Sequence, residues 1–125
     1  MAREALTSTE IAPPVGPFSQ AVRAGGFIFL SGQVAQVPGT GKLLAGDVTA
    51  QAEQIFKNLH AVLRVAGKTF ADVVRVGVYL TDMKDFAQMN AIYARQFDAP
   101  FPARTTIAVA ALPLGASVEI ELLVQ

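Results

Sequence analysis

The chain contains no cysteine, which removes disulfides, thiolate nucleophiles and sulfur-ligated metals from the functions open to it. Imidazole is almost as scarce. His60 is the single histidine, beside Leu59 with no second histidine or paired carboxylate in register, so neither a zinc site nor a triad base is built around it. Charged residues make up 16% of the chain, below the usual quarter, and ten basic and ten acidic side chains cancel without a block of one sign. Such a surface offers no stripe to nucleic acid or to an anionic membrane. No apolar run approaches the ~20 residues of a membrane helix, and Met1 to Ala5 has no signal-like apolar core, so a cytoplasmic protein is expected. Phosphate-cradling motifs are missing too: there is no GxGxxG, and Gly39-Thr40-Gly41-Lys42 lacks the spacing and following hydroxyl of a P-loop.

What is abundant is apolar material, 52% of 125 residues. That length suits one domain spanning residues 1–125. The excess over what one small core needs predicts a subunit interface.

Residues 1 to 17 end in Pro13-Pro14-Val15-Gly16-Pro17 and read as a stiff extended approach. Gly26-Phe27-Ile28-Phe29-Leu30-Ser31-Gly32 is the first strand signal, with a hairpin partner expected around Val34 to Val37. Residues 38 to 46 form a loop. From Asp47, the three- and four-residue recurrence of Ala52, Ile55, Phe56, Leu59, Val62, Leu63 and Ala66 predicts an amphipathic helix closed by Gly67. The β-branched run from Val73 to Leu80 predicts a central strand covered on both faces for much of its length. Asp82 is the expected N-cap of a second helix, with Asp85 in its first turn, Phe86, Met89, Tyr93 and Phe97 on its buried face, and Asp98-Ala99-Pro100 at its end. Strands at Thr105 to Ala110 and Val118 to Val124 follow, joined by residues 111 to 116. In the last, Val118, Ile120, Leu122 and Val124 point one way, and Glu119, Glu121 and Leu123 the other. This order predicts an α+β fold, a sheet with two helices on one face. The opposite face carries valine, alanine and threonine rather than lysine, so it is expected to be buried in a closed ring of subunits.

Among candidate chemistry, Phe101-Pro102-Ala103-Arg104-Thr105 delivers a guanidinium to the start of an apolar strand. Its planar fork suits a bidentate grip on a small carboxylate, either of a ligand or of a neighbouring side chain. Glu119 is a general acid–base candidate if pairing brings it near Arg104 of its own or another subunit, in which case the arginine would lower its pKa; Glu121 competes for the role. Asn90 sits beside the apolar stripe of the second helix, where it either braces structure or touches ligand.

These residues carry a resemblance. Gly16-Pro17-Phe18-Ser19-Gln20-Ala21, Ser31-Gly32-Gln33, Asn90, Phe101-Pro102-Ala103-Arg104, Leu112-Pro113 and Val118-Glu119-Ile120-Glu121, in that order and spacing, resemble the RidA/YjgF family of reactive-intermediate deaminases over essentially the full length. The resemblance implies a chorismate-mutase-like fold assembled as a homotrimer, with a cleft at each subunit interface. It implies cofactor-free hydrolysis of enamine and imine acids, such as 2-aminoacrylate and 2-iminobutyrate released by pyridoxal-phosphate enzymes, to 2-keto acids and ammonia. Carried over, Arg104 would bind the substrate carboxylate, helped by the backbone of Thr106, and Glu119 would orient the attacking water. Phe18, Ser31, Gly32, Asn90 and Pro113 would line or brace the cleft. Phe18 stands where deaminase-type members commonly have tyrosine, keeping the aromatic wall and losing its hydroxyl. Thr106 stands where cysteine is frequent, and Ala108 and Ala111 replace common charges. The alternative is a non-catalytic trimer that binds small 2-keto or amino acids and reports them to a protein partner.

Overall fold

In the computed structural model, which describes residues 2–125, the elements run β1 (Glu4–Leu6), β2 (Ala21–Ala24), β3 (Phe27–Gln33), α1 (Val48–Val65), β4 (Val73–Leu80), α2 (Phe86–Tyr93), β5 (Ala103–Ala108) and β6 (Val118–Val124). The six strands form one mixed sheet in the order β1-β2-β3-β6-β4-β5, antiparallel except for the parallel pair β4 and β5. The α+β class and the two helices on one face are as the sequence pattern predicts. Alternation decides which face is which. Val118, Ile120, Leu122 and Val124 of β6, Val76, Val78 and Leu80 of β4, and Ile28 and Leu30 of β3 are all buried toward the helices. Against them α1 lays Ala52, Ile55, Phe56, Leu59, Val62 and Leu63, each at most 2% exposed.

Helix α1 begins where Asp47 accepts a hydrogen bond from the Ala50 amide (3.0 Å) and ends where Gly67, at φ +70°, turns the chain out of the helix. Helix α2 is shorter than the pattern suggests. Asp82 caps a 3-10 turn, Met83–Asp85, accepting from the Lys84 amide (2.9 Å), and the α-helix proper starts at Phe86. Met89, Tyr93 and Phe97 are buried as expected.

Three expectations are corrected. The hairpin partner of β3 is β2, on its N-terminal side: Ala24 pairs with Phe27 across Gly25-Gly26, and Gly25 at φ +60° supplies the left-handed residue a two-residue loop needs. Val34 to Val37 instead fold back on Lys42 to Leu44, through Val37 N to Lys42 O and Leu44 N to Ala35 O, both 2.8 Å. The N-terminal segment is more than an approach, since Glu4–Leu6 adds an edge strand to β2 and the Gln20 side chain, 3% exposed, ties down the Ser8 amide (2.6 Å) and carbonyl (3.2 Å). Finally, β4 is internal to the sheet but open on its second face, where Val74 is exposed, and it separates β5 from β6.

That second face carries Phe27 and Phe29 from β3, Ile107 and Thr105 from β5, and Leu123, Glu119 and Glu121 from β6. Phe29 is 47% and Ile107 45% exposed, large apolar side chains on one side of a sheet. Leu59→Ala, at the centre of the helix–sheet core, is expected to cost about 2–5 kcal/mol by denaturant titration, and Asp47→Ala about 0.5–2 kcal/mol.

Candidate active site

The register of the sheet puts the two leading candidates apart. Val76 of β4 is flanked by Arg104 on β5 and Leu122 on β6, so Arg104 points to the helix face; Tyr79 is flanked by Ile107 and Glu119, so Glu119 points to the opposite one. Within one chain, Arg104 and Glu119 lie two strands apart on opposite faces, and they form two half-sites.

The Glu119 half is a cleft of about 320 Å³ walled by Phe18, Ser31, Gly32, Pro113 and Leu114. The β3–β6 register is irregular between Leu30 and Gln33, and this places Gly32 directly beneath the Glu119 carboxylate. A Cβ at position 32 would stand 2.0 Å from Glu119 Oε2, so only glycine leaves room for it. The Ser31 hydroxyl donates to the Ser19 carbonyl (2.6 Å), and the Ser31 amide donates to Gln20 O (3.0 Å). Ser31 therefore braces the loop that carries Phe18, and its hydroxyl proton is already committed. Phe18 is half exposed, and the Pro113–Gly115 turn, with Leu114 at φ +60°, closes the other side.

Glu119 sits above the ordinary carboxylate range, first because burial disfavours its charge and second because Glu121 adds a like charge nearby. The arginine-lowered Glu119 expected from sequence is not found within the chain, because the sheet keeps Arg104 on the other face. Glu121 leans the opposite way, over Gly77 of β4, where a Cβ would approach its Cγ to 2.9 Å, and it accepts a hydrogen bond from the Tyr79 hydroxyl. Of the two competing glutamates, Glu119 is the one in the cleft.

The Arg104 half is a mainly apolar recess of about 330 Å³ between α2 and the Phe101-Pro102 approach to β5. Arg104 Nη1 donates to Asn90 Oδ1 (2.8 Å), and the guanidinium carbon lies 4.5 Å from the Tyr93 ring centre and 5.6 Å from that of Phe86. Asn90 thus touches Arg104 itself. The ion pairs among the described residues are Arg23 with Glu4 and Arg64 with Glu10, and Arg104 is in neither. Its full charge is available to an incoming anion. Thr106 also faces the helix side, with a buried hydroxyl that has no partner among the described residues. Because Val109 N donates to Leu80 O, alternate amides of β5 face β4, and the Thr106 amide faces the free edge of the sheet.

Sequence reasoning missed Phe86 and Tyr93 as neighbours of Arg104, reading them only as core; their spacing to Asn90 on one helix face was the available signal. It also missed Gly77 and Tyr79 as the seat and donor of Glu121. No group of three or more metal-ligating side chains occurs among the described residues, and no helix there is long and apolar enough to cross a membrane.

A mixed six-stranded sheet carrying two helices on one face, with these half-sites on its two sides, defines an α+β class with close known relatives. The model for the family described as Endoribonuclease L-PSP matches residues 9–125. Protein DfrA of Myxococcus xanthus is 48% identical over 123 residues, covering 97% of this chain and 94% of that protein. The 2-iminobutanoate/2-iminopropanoate deaminase of Mus musculus is 44% identical over 119 residues, covering 95% and 88%. The crystal structure of RidA from the Antarctic bacterium Psychrobacter sp. PAMC 21119 superposes with a TM-score of 0.92 at 40% identity, covering 97% of this chain and 98% of that one. The chain belongs to the Endoribonuclease L-PSP family, the RidA/YjgF proteins.

Three outcomes follow from the Glu119 geometry. Gly32→Ala is expected to displace the Glu119 carboxylate while the fold persists, read by its carboxyl-carbon NMR shift alongside circular dichroism. Glu121→Gln should bring the Glu119 pKa down toward, but not to, its ordinary value, since burial remains; carboxyl-carbon NMR titration measures it. Because the folded pKa is raised, Glu119 opposes folding increasingly as pH rises from its unfolded to its folded value, and Glu119→Gln should flatten that part of the stability–pH curve.

Proposed function

We propose that the protein is a hydrolytic deaminase of small 2-imino acids and their enamine tautomers, acting at a cleft completed when Arg104 of one chain meets Glu119 of the next in a homotrimer. The observation that carries this reading is the Arg104 guanidinium, held in an apolar recess with no carboxylate partner among the described residues. A partly buried guanidinium that meets no carboxylate among the described residues keeps its fork free for one, and a 2-imino acid brings a planar carboxylate of matching geometry. Each half-site lacks what the other has, and the exposed Phe29 and Ile107 face supplies apolar surface for the contact. A contact of this kind joins unlike surfaces, which gives a ring where the rotation closes, and three chains is the number the family resemblance implies.

The chemistry needs little beyond positioning. With the substrate carboxylate on Arg104 and the outward Thr106 amide, the iminium carbon is already electrophilic. Water held by Glu119 adds to that carbon and passes a proton through the carboxylate to the nitrogen; the C–N bond then breaks, ammonia takes the bonding pair, and the hydroxyl proton passes through Glu119 to the ammonia. The balance is iminium acid plus water giving 2-keto acid plus ammonium. An enamine first takes a proton at C3 from the Glu119 carboxyl, whose pKa burial raises and the Arg104 of the next chain would lower. Phe18 and Pro113 supply apolar walls for the short side chain of the substrate, and Ser31 and Gly32 shape the Glu119 side.

Decay of 2-iminobutanoate and 2-aminoacrylate generated in situ tests the reading. Wild-type protein should accelerate decay, Arg104→Ala should abolish the acceleration, and Glu119→Gln should lower kcat by about 10²–10⁴-fold with KM little changed. Native mass spectrometry should give three chains. Unchanged hydrolysis by the Arg104 variant would remove the assignment, and saturable 2-keto-acid binding by wild type without acceleration would favour a ligand-binding trimer instead.

A further inference from the structure

The geometry points to Tyr93, seconded by Phe86, as the positioning residue of the carboxylate grip: its ring face, not its hydroxyl, sets the plane of the Arg104 guanidinium. This deepens the reading of Arg104 given above and rests on it.

Phe86, Asn90 and Tyr93 are spaced by four and three residues, which places them on one face of α2. Arg104, arriving from β5, lies against all three: Tyr93 at 4.5 Å and Phe86 at 5.6 Å from ring centre to guanidinium carbon, Asn90 at 2.8 Å from Nη1. A guanidinium has five N–H donors in one plane, and a ring face attracts the cation without consuming any of them. Asn90 takes one donor through a neutral oxygen, which fixes the plane's rotation while leaving its charge uncancelled. A carboxylate from α2 in either position would hold the arginine more tightly and neutralise it.

Tyr93 is itself held. It is 6% exposed, 4.8 Å from Phe97 and 6.1 Å from Phe56 between ring centres, so the arginine rests on a part of the core rather than on a mobile side chain. Its hydroxyl is buried and has no hydrogen-bond partner among the described residues, and so contributes nothing that a phenylalanine would lack. Burial keeps the phenol above its ordinary pKa, so it remains neutral beneath the cation. Phe56 and Phe97 pack edge-on at 6.2 Å, continuing the same aromatic cluster beneath α2.

The test compares Tyr93→Phe, Tyr93→Leu and Phe86→Leu. The Arg104 Nε–H NMR resonance, recorded without ligand, should shift and broaden in Tyr93→Leu and stay at the wild-type position in Tyr93→Phe. The dissociation constant for 2-oxobutanoate, by calorimetry, should rise about three- to thirtyfold in Tyr93→Leu, less in Phe86→Leu, and stay within about twofold in Tyr93→Phe. If Tyr93→Phe weakened binding as much as Tyr93→Leu, the hydroxyl would be the operative group and the inference would be wrong. An unmoved Arg104 resonance in both leucine variants would also overturn it, and Phe86, only half-buried, guards against a Tyr93→Leu protein that does not fold. Wild-type protein that fails to bind the keto acid would instead count against the functional reading, while the resonance still reports on the arginine's support.

Discussion

Everything in this molecule follows from the position of β6 between β3 and β4. Val118, Ile120, Leu122 and Val124 are at most 3% exposed, and burying each contributes about 1.5–3 kcal/mol. A slip of one residue would expose all four and drive Glu119 and Glu121 into the helix core. The register is therefore fixed by hydrophobic burial, and the polar residues take the places that remain. Glu119 and Glu121 must stand on the open face. Arg104, one strand beyond β4 and level with Val76, must stand on the other. A chemistry that needs both groups has to be shared between chains.

Each charged group then has a local solution. Glu119 and Glu121 diverge from β6, each over a glycine on the neighbouring strand, Gly32 and Gly77, and that divergence allows two carboxylates two residues apart to occupy one sheet face. Glu121 is paired with Tyr79; Glu119 is left partly desolvated in its cleft, which holds its pKa above the ordinary value. Arg104 is supported by two ring faces and one amide oxygen instead of an anion. Within the chain the sheet keeps the Arg104 guanidinium and the Glu119 carboxylate on opposite faces, so neither neutralises the other.

The parts of the fold governed by periodicity are legible in the sequence. The three- and four-residue recurrence on α1 and the strict alternation of β6 name their own buried residues, and Asp47 and Gly67 mark the ends of α1. What is not legible has a physical reason in each case. The strand Ala21–Ala24 is short and alanine-rich, with no β-branched run to announce it, and Gly25-Gly26 reads equally well as the border of one strand or the loop of a hairpin. Ala103 and Val118 open strands that are adjacent in sequence but separated in space by β4, a topology that no local pattern encodes. The candidate site residues Phe18, Ser31, Gly32, Asn90, Arg104, Thr106, Glu119 and Pro113 are named as a set by family resemblance, and their division between two faces comes from the sheet register. The raised Glu119 pKa depends on it too.

The central claim is that one working site draws Arg104 and Glu119 from different chains, and subunit mixing tests it most directly. Arg104→Ala and Glu119→Gln proteins, each inactive alone, are dissociated together, reassembled and assayed for 2-iminobutanoate hydrolysis. Random mixing at equal amounts should restore about a quarter of the wild-type sites, those in which an intact Arg104 faces an intact Glu119 across an interface. Mixed assemblies, verified by native mass, that remain inactive would contradict the account.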